Sequence, residues 1–598
     1  LESDGRACFG TLDEVKFSEA LTIVKSAPEA GTPFAVTLAC GFTPLHLATY
    51  LGAYLQRALP TRRVDVRPGM YGDLVGTVAV TETDSHAIAI AIEWSDLDSR
   101  LGYRQLGGWG PGQTVDIVKT VRLSLDRIAH AVLALPAHRI AAISLPTLPL
   151  APVFHTPGWQ AGGFELGMMH DVLAFAESLA GRANTFFVNP NRLAFDSNPA
   201  GRFDLRSELF GGLPYTLPHA DAVASALARL IQPPQPKKGL ITDLDGTLWH
   251  GVLGDLGPDG ISWDLTGHRP IHGLYQQLLR ALADEGVLLA VASKNDRAAV
   301  EQVFEQNRLV LPATRIFPME IHWSAKSGSV ERILSTWNIG MDSVVFVDDS
   351  PMEIAEVRQA HPEMTCLLFP GNDHAAAYGF LQNLRDLFGK QRISEEDLLR
   401  LESIRQGAGF RQAAEAGGGA SEEFLRGLES VVTLDFAAGA TDPRALELVN
   451  KTNQFNLNGA RYSQADWQAE LNRPGAFLIS VSYEDKFGPL GKIGVIRGQW
   501  NSREVHVLSW VLSCRAFARR IEHRCLQAIF DRFPTTGIRF AYAATPKNTP
   551  LQTFFAGLLG GAPEGEFVLA RGLFEEKCPP LYQAVRKSTP EEAHVSER

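Results

Sequence analysis

The sequence predicts an α/β chain in three parts, and three observations predict it. Apolar runs that end in a tight turn and pass into helical spacing recur from Phe34 onward. A proline-rich connector, Gln232-Pro233-Pro234-Gln235-Pro236-Lys237-Lys238, separates the first such region from a second. From about residue 430 the pattern changes again, to longer strands mixed with short helices. The expected organisation is an α/β domain over 1–231, the connector over 232–238 and a parallel-sheet core over 239–390. A helical connector over 391–425, a second α/β domain over 426–588 and a disordered tail over 589–598 complete it.

In the first domain, Phe34 to Ala39 reads as a strand and Leu45 to Leu59 as a helix. His86 to Glu93 and Arg139 to Leu145 read as further buried strands, and Pro146 to Gly163 as a long loop. In the second, Leu240–Thr242, Val287–Ala292 and Val344–Val347 are strand-like with helical periodicity between them, which implies crossover helices on a parallel sheet. Arg392 to Arg405 reads as helix, and Ala416 to Ala420 as a glycine-rich break. In the third, strands are expected at Val431–Leu434, Phe477–Tyr483, Ile493–Gly498 and Val505–Cys514, with helices at Arg444–Thr452, Gln464–Asn472 and Ala518–Phe533.

Composition narrows the function. The net charge of −11 argues against nucleic acid as the main ligand. No stretch approaches the ~18 apolar residues of a membrane span, so no membrane role is expected. Six scattered cysteines, none in CxxC spacing, suit neither a disulfide scaffold nor a structural zinc site, and point to a reducing, cytoplasmic setting.

The sharpest chemical signal is Asp243-Leu244-Asp245-Gly246-Thr247-Leu248, directly after the strand-like run Gly239–Thr242. Ser293 ends the next apolar run 50 residues on, Lys326 follows in Trp323-Ser324-Ala325-Lys326, and Asp348-Asp349 ends Val344–Val347. Each residue type suits phosphoryl transfer. One carboxylate attacks phosphorus and splits the reaction through an aspartyl-phosphate. A second protonates the leaving oxygen and later deprotonates water. Clustered acids hold Mg²⁺, while a hydroxyl and an ammonium steady the phosphoryl oxygens.

This ordered set resembles the haloacid dehalogenase superfamily of phosphotransferases. The resemblance implies Asp243 as nucleophile, Asp245 as acid and base, and Ser293, Lys294, Lys326 and Thr247 at the phosphate. It assigns Mg²⁺ to Asp243, Asp348, Asp349 and the carbonyl of Asp245. Only 22 residues separate Leu248 from Ile271, enough for a flap but not for a capping domain with its own core. A capless, open site favours a bulky or protein-delivered substrate.

Asn450-Lys451-Thr452-Asn453-Gln454-Phe455-Asn456-Leu457, Asp485-Lys486-Phe487-Gly488 and Leu512-Ser513-Cys514-Arg515 carry a second resemblance. Together with the phosphatase-type core they resemble the FkbH-like glyceryl transferase/phosphatase family. The resemblance implies an SGNH hydrolase-like first domain, a capless Rossmannoid core and a GNAT-like acyltransferase domain. It implies transfer of a glyceryl unit from 1,3-bisphosphoglycerate, with loss of phosphate, to the phosphopantetheine thiol of an acyl carrier protein in polyketide-type biosynthesis. Asn453 and Arg515 are then candidates for binding the acyl group or carrier.

The residues read alone agree in part. Cys514 ends a strand beside Arg515, whose charge favours thiolate; a packed structural cysteine is the equal alternative. The turn Arg515–Arg520 has no glycine, against CoA pyrophosphate but compatible with a carrier arm. Arg515, Arg519, Arg520 and Arg524 form either a basic patch for an acidic carrier or an ordinary solvated face.

Cys40 follows a strand and opens a helix, where an SGNH hydrolase places its serine, and a helix N-terminus lowers a thiol's pKa. His219 is its candidate base, oriented by Asp204 or Asp221; a degenerate docking or structural domain is the competing reading. Two other functions stay open at this point: a phosphohydrolase of a small phosphate ester, and a carrier-binding module with a vestigial phosphatase centre.

Overall fold

The computed structural model describes residues 15–588 apart from 30, 81–83, 105–110, 151–161, 307–308, 391–392, 395–396, 403, 406–421, 437–441, 487, 502–503, 514–515 and 518. The expected glycine-rich break at 416–420 and disordered tail at 589–598 lie outside the described residues, as does most of the expected loop beyond Leu150. Two compact units divide at residue 235/236, within the proline-rich segment.

The first unit is built on a five-stranded, all-parallel sheet. Its strands are β1 (Thr32–Ala39), β2 (Arg62–Pro68), β3 (Ala87–Ala91), β4 (Ile140–Ser144) and β5 (Thr185–Phe187), in the order β2-β1-β3-β4-β5. Both faces of β3 are buried, which is why Ala87 to Ala91 reads as a continuous apolar run rather than an alternation. Ala87, Ala89 and Ala91 pack with the helices Leu45–Ala58 and Leu217–Ile231, while Ile88 and Ile90 pack with Thr114–Ala134 on the other side.

The second unit begins with another five-stranded parallel sheet. It comprises β6 (Gly239–Thr242), β7 (Leu288–Ser293), β8 (Ile316–Ile321), β9 (Val344–Asp348) and β10 (Thr365–Leu368), ordered β10-β9-β6-β7-β8. Register decides the site: Thr242 pairs with Val291 on one side and Val347 on the other. Asp243 and Asp348 at the next position, and Ser293 one residue further on, therefore emerge together at the carboxyl edge, where parallel sheets bind ligands. The end of the proline-rich connector is pinned to this core by Lys237 N–H to the Leu387 carbonyl (2.8 Å) and Lys238 N–H to that of Ser343 (2.7 Å).

The remaining strands form a mixed seven-stranded sheet. They are β11 (Val431–Asp435), β12 (Ala476–Asp485), β13 (Gly488–Trp500), β14 (Val505–Leu512), β15 (Gly537–Phe540), β16 (Phe567–Ala570) and β17 (Ala584–Ser588). The order is β16-β15-β14-β13-β12-β11-β17. Strands β14 and β15 run parallel for only three residue pairs, Val505–Val507 against Ile538–Phe540, and then diverge. No helix among the described residues is long and apolar enough to cross a membrane.

Candidate active site

The segment after β6 turns sharply because Gly246 adopts φ +71°, a left-handed conformation that costs other residues about 1–2 kcal/mol. A Cβ at that position would lie 2.3 Å from Asp349 Oδ2. Glycine therefore lets the loop and the Asp349 carboxylate share one small space. Thr247 is fully buried, and its hydroxyl donates to Asp349 Oδ1 at 3.3 Å. Its hydroxyl thus orients a carboxylate, from a buried position behind the wall of the cleft.

That cleft, about 450 Å³, is lined by Asp243, Asp245, Ser293, Lys294, Lys326, Asp348 and Asp349, with His250, His272, Ser350 and Glu353 among its other walls. Lys326 opens the helix Lys326–Trp337 and is 4% exposed. Its ammonium lies 2.6 Å from Asp348 Oδ2 and 3.0 Å from Asp243 Oδ2. Burial pulls the ammonium's pKa down, but the two carboxylates more than offset this and hold it above the ordinary lysine range. Burial and the charge of Asp243 push Asp348 up, against the pull of Lys326.

Asp243 Oδ1 is buried and has no hydrogen-bond partner among the described residues. Oxygens of Asp243, Asp348 and Asp349 lie within 4.8 Å of one another. An oxygen-only set with an unpartnered buried acceptor fits a hard divalent cation. Asp245 lies outside this cluster. Its Oδ1 accepts from Trp249 Nε1 (2.8 Å) and Leu253 N–H (3.2 Å), and its Oδ2 accepts from Asn295 Nδ2 (2.9 Å). Burial first, then the charge of Asp243, raises its pKa, while these hydrogen bonds oppose the rise. A carboxyl group held up in this way suits proton donation.

Ser293 stands at the end of β7, 4% exposed, on the cleft wall. Lys294 also faces the cleft, but its ammonium is 2.6 Å from Glu353 Oε1. Sequence reasoning missed Asn295, Glu353 and His272. Asn295 stands two residues from Ser293 and was findable by adjacency; the other two come from helices whose orientation no local pattern specifies. His272 donates from Nδ1 to the Thr247 carbonyl at 3.0 Å, tying the helix Pro270–Asp284 to the turn after β6.

The other candidates behave differently. Cys40 is 4% exposed; burial, then the charge of Asp96, pushes its thiol up to about 12, which corrects the expectation of a lowered pKa at the helix N-terminus. His219 is fully buried between Thr147 Oγ1 (2.8 Å) and Ser197 Oγ (2.9 Å), so both ring nitrogens are engaged away from Cys40. Asp204 caps the helix Leu205–Gly211 through Ser207, and Asp221 accepts from Tyr54. The proposed triad therefore does not assemble.

Cys514 and Arg515 lie outside the described residues. Asn453 is exposed and accepts from Arg461 at 2.6 Å. The rest of its motif builds backbone. Leu457 N–H bonds to the Trp510 carbonyl and Leu512 N–H to that of Phe455, while Ala543 N–H bonds to the Leu457 carbonyl. Residues 455–457 thus fill the divergence of β14 and β15, and Asn458 Nδ2 bridges Leu508 and Ala541 at its apex. Among the described residues, the arginines of the expected basic patch are engaged, Arg520 with the Pro580 carbonyl. Arg519 is buried against Asp485 (3.5 Å), and Arg524 donates to the carbonyls of Leu581 and Gln583.

Neither a family model nor a curated protein matches the sequence. Among solved structures, the chain is similar to the N-terminal part of a Bacteroides fragilis protein, described as containing a phosphatase domain complexed with Mg. Identity is 20% and the TM-score 0.50, over 63% of this chain and 99% of that one. A Corynebacterium glutamicum protein of uncharacterized function matches at 18% identity over 26% of this chain and 98% of its own, with a TM-score of 0.19. A Streptomyces rimosus extracellular lipase matches at 12% over 33% and 98%, with a TM-score of 0.23. The first likeness is one of fold; the other two are too low to argue from.

Proposed function

We propose that this chain is a Mg²⁺-dependent phosphoryl-transfer enzyme of the phosphatase type. One observation carries the reading: five residues widely spaced in sequence, Asp243, Asp245, Lys326, Asp348 and Asp349, converge on one cleft in two chemically distinct groups. Asp243, Asp348 and Asp349 would hold Mg²⁺, which when bound neutralises charge on the phosphoryl oxygens. The binding of Mg by the Bacteroides fragilis domain supports the same choice of cation. Asp243 forms the new bond to phosphorus while the leaving oxygen takes the P–O electron pair and a proton from Asp245. Asp245 then takes a proton from water, which displaces Asp243 from phosphorus. Lys326 and Ser293 hold the phosphoryl group.

The finer reading is that the substrate is 1,3-bisphosphoglycerate, and that the glyceryl unit passes to the thiol of an acyl carrier protein in polyketide-type biosynthesis. Its support is the sequence resemblance together with the open cleft, one wall of which is the short segment at His250, Gly251 and Val252. The high thiol pKa and burial of Cys40 weigh against it as the site of a covalent acyl-enzyme, which leaves Cys514 or direct transfer with no covalent acyl-enzyme. A phosphohydrolase of a small ester is the second reading, favoured by the occupied divergence of β14 and β15 and by the engagement of Arg519 and Arg524 within the fold.

Intact-protein mass spectrometry of a carrier protein incubated with this enzyme, Mg²⁺ and enzymatically generated 1,3-bisphosphoglycerate separates the two. A glyceryl adduct on the phosphopantetheine is the expected result. Released phosphate with an unmodified carrier sinks glyceryl loading and leaves the phosphohydrolase.

A further inference from the structure

A carboxylate offers about four lone-pair positions, and three of those on Asp245 are filled. Oδ1 takes two donors, Trp249 Nε1 and Leu253 N–H, whereas Oδ2 takes one, Asn295 Nδ2. The amide of Asn295 is not free to turn over: its Oδ1 accepts from Asp296 N–H at 3.2 Å, so its NH₂ group must face Asp245. Asn295 is itself 4% exposed, and the indole of Trp249 is fully buried against Phe304. The three donors come from three segments: the end of β7, the turn after β6 and the flap.

We propose that Asn295 is a positioning residue which, with Trp249 and the Leu253 amide, fixes Asp245 so that Oδ2 is the oxygen exchanging the proton. This rests on the phosphatase reading above. In the first step the proton leaves Oδ2 for the ester oxygen as the P–O bond breaks, and that oxygen keeps the bonding pair. In the second, Oδ2 accepts a proton from the water that forms the new P–O bond, as the bond from Asp243 to phosphorus breaks. Throughout, Asn295 donates to the remaining Oδ2 lone pair and so holds the carboxyl plane without carrying the proton.

Leaving-group dependence tests this, because an aryl oxide departs without a proton and an alkoxide does not. With the full chain and Mg²⁺, Asn295→Ala should lower kcat/KM for glycerol 3-phosphate by a factor on the order of tens. For p-nitrophenyl phosphate the loss should stay under about threefold, since general-acid help is not needed there. Trp249→Phe, which keeps the aromatic volume, should show the same selectivity with a smaller loss. Equal losses for both esters in the folded variants, from an active wild type, overturn the assignment while leaving the phosphatase reading standing. A wild-type protein that releases no phosphate from either ester or from 1,3-bisphosphoglycerate sinks that reading, and the assignment with it.

Discussion

The two parallel sheets put the same kind of edge to opposite uses. At the carboxyl edge of β6, β7 and β9, charged groups line an open cleft and one carboxylate oxygen of Asp243 has no partner among the described residues. At the corresponding edge of β1, β3 and β4, polar groups close on one another. Glu93 accepts from Thr147 Oγ1 (2.6 Å) and Tyr215 (2.7 Å), His219 lies between Thr147 and Ser197, and Arg202 donates to the carbonyls of Ser197 and Thr147. A satisfied buried network rigidifies and specifies a fold. Groups left unsatisfied beside solvent have capacity for a ligand. The architecture is shared, and what separates a reactive edge from a structural one is the number of donors and acceptors left over.

Removing the proposed nucleophile breaks the comparison most sharply. Asp243→Asn should reduce phosphate release by about 10³-fold or more, with unchanged circular dichroism. Chelation with EDTA should have a comparable effect that added Mg²⁺ reverses. Retained turnover in the variant would remove the nucleophile assignment.

Next in size is Gly246→Ala. The strained turn and the contact with Asp349 should raise the Mg²⁺ concentration needed for half-maximal activity about tenfold, since ~1–2 kcal/mol of backbone strain is added. An unchanged Mg²⁺ titration would show that the turn and the carboxylate move independently.

The closed edge predicts a dependence on pH in stability instead. Burial raises Glu93 to about 7 and, with the charge of Glu93 adding to it, Asp96 to about 7, above their unfolded values of 4.5 and 3.8. The folded state therefore binds more protons between those values and 7, so this contribution to stability is present at low pH and lost as pH rises through 7. Calorimetry of the full chain should give the transition of this unit a midpoint about 5 °C higher at pH 5.5 than at pH 8. Glu93→Gln should flatten that difference; an equal slope in wild type and variant would remove Glu93 as the cause.

The smallest effect is expected at Cys40. Cys40→Ala should leave phosphate release within about twofold of wild type, and the native thiol should react slowly with iodoacetamide, because thiolate is scarce at neutral pH. Rapid, selective alkylation of Cys40 would restore it as a nucleophile candidate.

How much of this was legible beforehand follows from the range of each interaction. Apolar runs and their turns are local, so the strands at Phe34–Ala39, Leu240–Thr242 and Val344–Val347 were readable within a residue or two of β1, β6 and β9. Within the Asp243–Asp349 set, Asp243, Asp245, Ser293, Asp348 and Asp349 were readable because each stands at a strand end or within three residues of one, and Lys326 because it opens the helix after β8. Donor counts were not readable. Thr247 turning to Asp349, Lys294 pairing with Glu353 and His219 closing on Ser197 all depend on packing between distant segments. For Cys40, position at a helix N-terminus suggested a lowered pKa, but burial acts on the same charge more strongly and with opposite sign.

By itself, then, the sequence determined the α/β class, the connector before the second sheet and the types of chemical group delivered to each sheet edge. Strand periodicity and turn chemistry are encoded within a few residues of one another. Only the tertiary structure decided which of those groups stay available. Satisfaction of a polar atom is a sum over every neighbour within about 3 Å, and those neighbours come from segments that register and packing bring together.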